Sequence, residues 1–222
     1  MEILDIFLLI IVYLYVIIVF VFSEKLLKNK ESIKRKFVHI MTGNMIFLMP
    51  AFSDPIIMVY YLTLPITIGA FLISEYSPLK ITNSVSKAGH GLGLVYYAGV
   101  WTLLLFIFNQ NLLIVGLAMA PMVYGDGVAS IIGEKYGRHK FTLTSDIKSI
   151  EGSLAMFITT LLISIFIWIF FSFLNYPLGG LNLTIILIIS LIATITEAIS
   201  YKGLDNLLVP IVSAILYYFV ML

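Results

Sequence analysis

The sequence predicts an all-α fold, a polytopic transmembrane helical bundle of about eight spans. Three observations predict it. Hydrophobic residues make up 61% of the 222 and charged residues only 11%, too little charge to clothe a soluble domain of this length. Apolar runs recur at close to the 20 residues that a helix needs to cross about 30 Å of hydrocarbon. All 13 Lys and Arg fall on alternate connecting segments, the pattern that a multi-pass protein shows when its basic loops stay in the cytoplasm.

The first run, near 3–22, has no basic start and no small-residue cleavage site, and Glu2 and Asp5 precede its core. It is therefore read as a retained helix and not a signal peptide. Segment 23–36 carries Lys25, Lys28, Lys30, Lys34, Arg35 and Lys36. The second and third runs, 37–52 and 55–74, are parted by Ser53-Asp54, and segment 75–90 holds Lys80 and Lys87. The fourth run covers 91–108, and Asn109-Gln110-Asn111 leads into the fifth, 112–133. Lys135, Arg138, Lys140 and Lys148 occupy 134–150 before the sixth run, 152–174. A stretch from Asn175 to Asn182 without Lys or Arg precedes the seventh, 183–200, and Lys202 marks the turn into the last, 206–222. The basic segments belong in the cytoplasm, which leaves both termini outside. Misplacing one span would scatter the lysines over both faces.

Several classes are excluded. The runs are long, rich in Leu and Ile and without a period of two, so a β-barrel does not fit. Cysteine is absent, so there is no disulfide framework and no thiolate metal site. A formal net charge of +1 argues against nucleic acid as a partner. Pro65, Pro121 and Pro210 stand inside apolar runs and kink or break their helices. The chain reads as one membrane domain over 1–222.

Its polar residues share a depth. Asp126 lies 14 residues into the run that starts at Leu112, about 21 Å from the outer edge and roughly 9 Å short of the inner one. Glu197 lies 14 residues into the run that starts at Leu183 and reaches the same level. Asn44, seven residues past Phe37, enters from the cytoplasmic side to about 10 Å. His39, Glu151, Asp205 and Asn206 lie just above. A carboxylate within a span costs about 2.5–3.5 kcal/mol on insertion scales. Snorkelling or pairing with a lysine explains one such acid, and explains two at one level less well.

The densest motif is Gly125-Asp126-Gly127 through Gly133 and Gly137. Asp126, Ser130 and Gly133 share a helix face, and Gly125 and Gly127 clear side chains from around the acid. Small-residue helix packing accounts for the glycines but not for the aspartate among them. In Lys148-Ser149-Ile150-Glu151-Gly152 a basic loop enters a helix: Ser149 caps it, its free N–H groups favour an anion, and Lys148 adds charge for phosphate. Glu151 fits such a site only if a divalent cation bridges carboxylate and phosphate; otherwise it is an ordinary first-turn acid. Arg35-Lys36-Phe37-Val38-His39 is by itself a common cytoplasmic flank, and a lone His39 is more often a structural hydrogen-bonder than a catalyst. Glu197 followed by Gly203-Leu204-Asp205-Asn206 reads as a tight polar turn or as part of a site. His90-Gly91-Leu92-Gly93 is a weaker signal of a loop opening a helix. No G-x-x-x-x-G-K-[ST] or H-E-x-x-H occurs, which removes P-loop and zincin chemistry.

Taken together, these motifs resemble the polyprenol kinase family, which includes dolichol kinases, phytol kinases and the CTP-dependent diacylglycerol kinase. The resemblance runs through Arg35-Lys36-x-x-His39, Gly125-Asp126 to Gly137, Lys148-Ser149-x-Glu151-Gly152, and Glu197 with Gly203 to Asn206. It implies a membrane enzyme that moves phosphate from CTP to a lipid alcohol with Mg²⁺. On that footing Asp126 and Glu197 hold Mg²⁺, with Glu151 or Asp205 as a further ligand or base. Lys148, Arg35 and Lys36 neutralise the triphosphate, and His39 meets phosphate or the alcohol. Gly125, Ser130, Gly133, Ser149 and Asn206 complete the nucleotide contacts.

The expected acceptor is a long isoprenoid alcohol, of the dolichol or polyprenol or of the phytol or geranylgeraniol kind, met at the cytoplasmic face. Diacylglycerol is an alternative acceptor. The related phosphatidate cytidylyltransferases carry an S-x-x-K-R…K-D signature that this chain lacks, which favours phosphoryl over cytidylyl transfer. A transporter is a remoter reading, because its ionisable residues belong near the bilayer centre and within repeats. The sequence leaves the acceptor and the oligomeric state open.

Overall fold

The computed structural model describes residues 1–27, 31–77, 92–144, 146–201 and 203–222. Lys28, Lys30, Lys80, Lys87, Lys202 and the His90-Gly91 pair lie outside the described residues. Helices α1 (Ile3–Leu26), α2 (Glu31–Gly43), α3 (Ile56–Leu72) and α4 (Gly93–Ile107) come first. Helices α5 (Leu112–Tyr136), α6 (Ile150–Phe173), α7 (Leu183–Ile199) and α8 (Asp205–Met221) follow. The strands among the described residues are β1 (Lys140–Phe141) and β2 (Lys148–Ser149), an antiparallel pair between α5 and α6.

Leu- and Ile-rich runs become helices because each then meets its backbone hydrogen-bond needs internally, as an apolar solvent demands. Helices α1, α5 and α6 are long and apolar enough to cross a membrane, while α3, α4, α7 and α8 are apolar but shorter. This is a helical membrane protein, but length supports three spans where about eight were expected. The expected run 37–52 differs most. There α2 stops at Gly43, and two short 3₁₀ turns, Asn44–Phe47 and Met49–Ala51, take the chain to Phe52. Gly43 and Asn44 are poor helix formers and Pro50 has no N–H to donate, so hydrophobicity there does not make a continuous helix.

The chain divides into two compact units, Met1–Leu112 and Leu113–Leu222. In the first, α1 packs on α2 and α3 on α4, with the Thr67 and Thr102 hydroxyls 2.9 Å apart between α3 and α4. Asp5 is wholly buried. Its carboxylate accepts from the Ser53 N–H at 2.9 Å, the Ser53 hydroxyl at 2.6 Å and the Glu2 N–H at 2.6 Å. One acid thus caps α1 and ties it to the turn before α3.

In the second unit the Gly127–Tyr136 half of α5 packs on α6, and α7 packs on both α6 and α8. Within α5, 89% of the apolar window is buried, against 17% in α1 and 28% in α6, so α5 is the core helix. Part of it, Pro121–Asp126, is a π turn that touches α6, α7 and α8. Proline removes one helical donor and crowds the preceding turn, and a widened turn absorbs both faults.

Replacing Asp5 with alanine orphans the buried Ser53 N–H and hydroxyl. We expect Asp5→Ala to lower stability by about 1–3 kcal/mol, read as a lower midpoint of thermal unfolding in detergent.

Candidate functional site

Three carboxylates meet in the second unit. Asp126 closes the π turn of α5 and is buried. Glu197 stands in the last turn of α7, also buried, and Asp205 opens α8. One ligand oxygen from each lies within 4.8 Å of the others.

Local structure explains how each arrives. The turn between α7 and α8 reverses within a few residues because Gly203 adopts φ of +81°, a left-handed conformation that costs glycine little. The Ser200 N–H bonds the Glu197 carbonyl at 3.1 Å, and the Leu204 N–H bonds the Tyr201 carbonyl at 2.9 Å. Asp126 is brought in by close helix packing. A Cβ on Gly125 would run into the Thr160 hydroxyl and stand 3.3 Å from Met156 Cγ, so α6 lies against bare backbone there. Ser130, one turn on, sits 3.5 Å from an Asp126 oxygen, at the limit of a hydrogen bond.

A cation already faces the trio. Lys148, on β2, donates from Nζ to both the carboxylate and the main-chain carbonyl of Glu197. The register of the strand pair, Lys140 opposite Ser149 and Phe141 opposite Lys148, directs this lysine. The Thr144 hydroxyl pins the same loop by donating to the Ser200 carbonyl at 3.0 Å. Ser149 is buried and caps α6, accepting the Gly152 N–H at 3.1 Å. A Cβ on Gly152 would stand 3.0 Å from the Ala129 carbonyl and 3.3 Å from Gly133 Cα. Gly133, Ser149 and Gly152 of the sequence motifs therefore form one tight packing contact between α5 and α6.

Glu151 is placed differently. Its carboxylate lies 2.7 Å from His139 Nδ1 and accepts the His139 N–H at 3.3 Å. Its visible work is to hold the loop after α5, and it does not belong to the trio. Asn206 follows Asp205, and its N–H donates to an Asp205 oxygen at 3.0 Å. Arg35, Lys36, His39 and Asn44 belong to the first unit. There the His39 ring lies against that of Tyr97, with centroids 4.0 Å apart, and the Tyr97 hydroxyl donates to the His39 carbonyl at 2.9 Å. Asn44 donates to the Tyr15 hydroxyl at 3.1 Å.

The electrostatics of the trio call for a cation. Like charges about 5 Å apart repel by roughly 3 kcal/mol per pair at an effective dielectric near 20, and Lys148 offsets only part of this. The donor set is all oxygen, which suits a hard divalent ion. Oxygens held at Mg–O near 2.1 Å stand at most about 4.2 Å apart, so a trio within 4.8 Å needs only a small inward movement of its side chains to hold one. The residues present fit such an ion.

No family model matches the chain, and no solved structure matches it. Curated proteins do. The phytol kinase of Synechocystis sp. is 26% identical over 206 residues, covering 87% of this chain and 81% of that protein. Phytol kinase 1 of Arabidopsis thaliana is 29% identical over 205 residues, covering 85% of this chain and 66% of that one. The probable phytol kinase of Triticum aestivum is 29% identical, and the chain spans 65% of its length. The chain is thus similar to phytol kinases over more than four fifths of its length, in line with the resemblance of its motifs to the polyprenol kinase family. The chain spans about two thirds of the length of these plant relatives.

Sequence reasoning found all three acids of the trio but not the Lys148–Glu197 bond, the Glu151–His139 bond or Thr160. The first two join residues that no helical or strand period links. The glycine at 125 did signal a close neighbour, without saying which. Gly125→Ala should cost about 1–3 kcal/mol through overpacking, and adding Thr160→Ala should recover part of the loss. Thermal unfolding of the single and double variants in detergent measures both.

Proposed function

We propose that this chain is a kinase that transfers phosphate from CTP to an isoprenoid alcohol of the phytol class, at the cytoplasmic face of a membrane. The observation that carries this reading is the trio of buried Asp126 and Glu197 with half-buried Asp205, Lys148 beside it, in a chain whose relatives are named phytol kinases. Phosphoryl transfer rests on positioning and charge neutralisation, with little covalent work for the protein. Acids to hold a metal beside a cation for phosphate are its minimal equipment. CTP as donor is supported by the resemblance of the sequence motifs to the polyprenol kinase family.

In this reading residues 1–222 act as one kinase domain. Asp126, Glu197 and Asp205 hold Mg²⁺, which when bound neutralises charge on the phosphates. Of the two acids expected as a further ligand or base, Asp205 has the position for it, since Glu151 is engaged with His139. Lys148 takes a share of the phosphate charge, with Arg35, Lys36 and His39 as further contacts for phosphate or alcohol. The alcohol oxygen bonds to the γ-phosphorus as the bond to the bridging oxygen breaks, leaving a lipid phosphate and CDP. Its proton passes to a carboxylate oxygen of the trio. The isoprenoid tail stays in the apolar phase while its hydroxyl reaches the shallow polar layer. The basic segments support a cytoplasmic site with both termini outside.

Incubating purified protein with γ-labelled CTP, or with labelled ATP, and a panel of phytol, geranylgeraniol, dolichol and diacylglycerol tests the reading. Label is expected on phytol or geranylgeraniol, from CTP, with release of CDP. Label on diacylglycerol alone, or release of pyrophosphate, overturns it. Asp126→Asn should lower kcat by at least about a hundredfold, the scale for loss of a transition-state charge stabiliser. A folded Asp126→Asn protein with full activity rules out the assignment of that residue.

A further inference from the structure

We propose that Lys148 is a tethered counter-ion of the carboxylate trio, which a divalent cation must expel and thereby release towards the phosphates. This rests on the reading above that the trio holds such a cation.

The Lys148 ammonium bonds Glu197 twice, through its carboxylate and its main-chain carbonyl. Both side chains are largely buried, at 14% and 9% exposure. Asp126 and Asp205 as well as Lys148 act electrostatically on Glu197. The ammonium thus stands where a metal held by Glu197 would have to come.

The same carboxylate cannot serve both cations well. A divalent ion sits about 2.1 Å from a carboxylate oxygen, and an ammonium bonded to that carboxylate would then lie a few ångströms from it, out of reach of bulk screening. Lysine is suited to yield. Its head is a point charge on a flexible stem with rotatable donors, so Nζ can leave while the backbone stays. That backbone is held, because Ser149 caps α6 and Thr144 ties the loop to Ser200. The released ammonium remains within a side chain's length of the trio. Arrival of the metal thus sets free a positive charge where a metal-bound triphosphate needs one, and metal binding without nucleotide is weakened by the competition.

The test measures Mn²⁺ binding to the purified full-length protein without nucleotide, by the paramagnetic resonance signal of free Mn²⁺. Lys148→Met is expected to bind at least about tenfold more tightly than the unaltered protein, and Asp126→Asn to lose binding. If Lys148→Met binds no more tightly while Asp126→Asn loses binding, the counter-ion role is overturned and the metal trio stands. If no form binds Mn²⁺, or Asp126→Asn binds like the unaltered protein, the trio reading fails and the counter-ion role fails with it. Should Lys148→Met not fold, reductive methylation of the unaltered protein, followed by mass spectrometry, decides. Labelling of Lys148 should rise several-fold on adding Mg²⁺, and unchanged labelling overturns the proposal.

Discussion

Helix α5 can lie against α6 only where side chains are missing. At Gly125 the Thr160 hydroxyl occupies the space that a Cβ would need, and Gly133 and Gly152 present bare backbone to each other. Without a hydrophobic drive between helices in lipid, such close approach is how dispersion forces hold them. The rest of the second unit depends on it. The contact brings the π turn with Asp126 inward, sets the start of α6, and through Ser149 fixes the strand that carries Lys148.

The site built on this contact gathers acids at one point. Three acids stand within reach of one ion, and Lys148 bonds one of them. An arrangement made only for stability would pair charges evenly or replace them with apolar groups, since a buried ion pair is weak evidence of stabilisation. An excess of negative charge at the end of a helical bundle makes sense if something positive comes and goes. Glu151 shows the contrast: its partner His139 lies on the loop that leads into α6, the pair is more exposed, and its evident work is mechanical.

Much of this was legible in the sequence, and the reasons are specific. The common depth expected for Asp126 and Glu197 follows from counting residues at a fixed rise per residue, and the structure brings their carboxylates together at the π turn of α5 and the last turn of α7. Asp205 was visible as a motif beside a glycine turn. The bond from Lys148 to Glu197 was not, because 49 residues separate them and only tertiary packing decides which carboxylate a mobile lysine meets. Likewise the break at Gly43 and Asn44 was hidden by the apolar residues on either side. Hydropathy measures where a segment is content to be, not whether its backbone can stay helical.

Glu197 and Asp205 belong to helices joined by a turn of only five residues, 200–204. Two of the three oxygens that surround the proposed ion are therefore arms of one short chelate. Loop-closure entropy grows with length, so bringing these two together costs little in any state of the chain. Only Asp126 must be delivered from far away in sequence. Affinity for a cation is then set by how firmly one helix is docked, and whatever loosens α5 against α6 loosens the grip on the metal without touching a ligand.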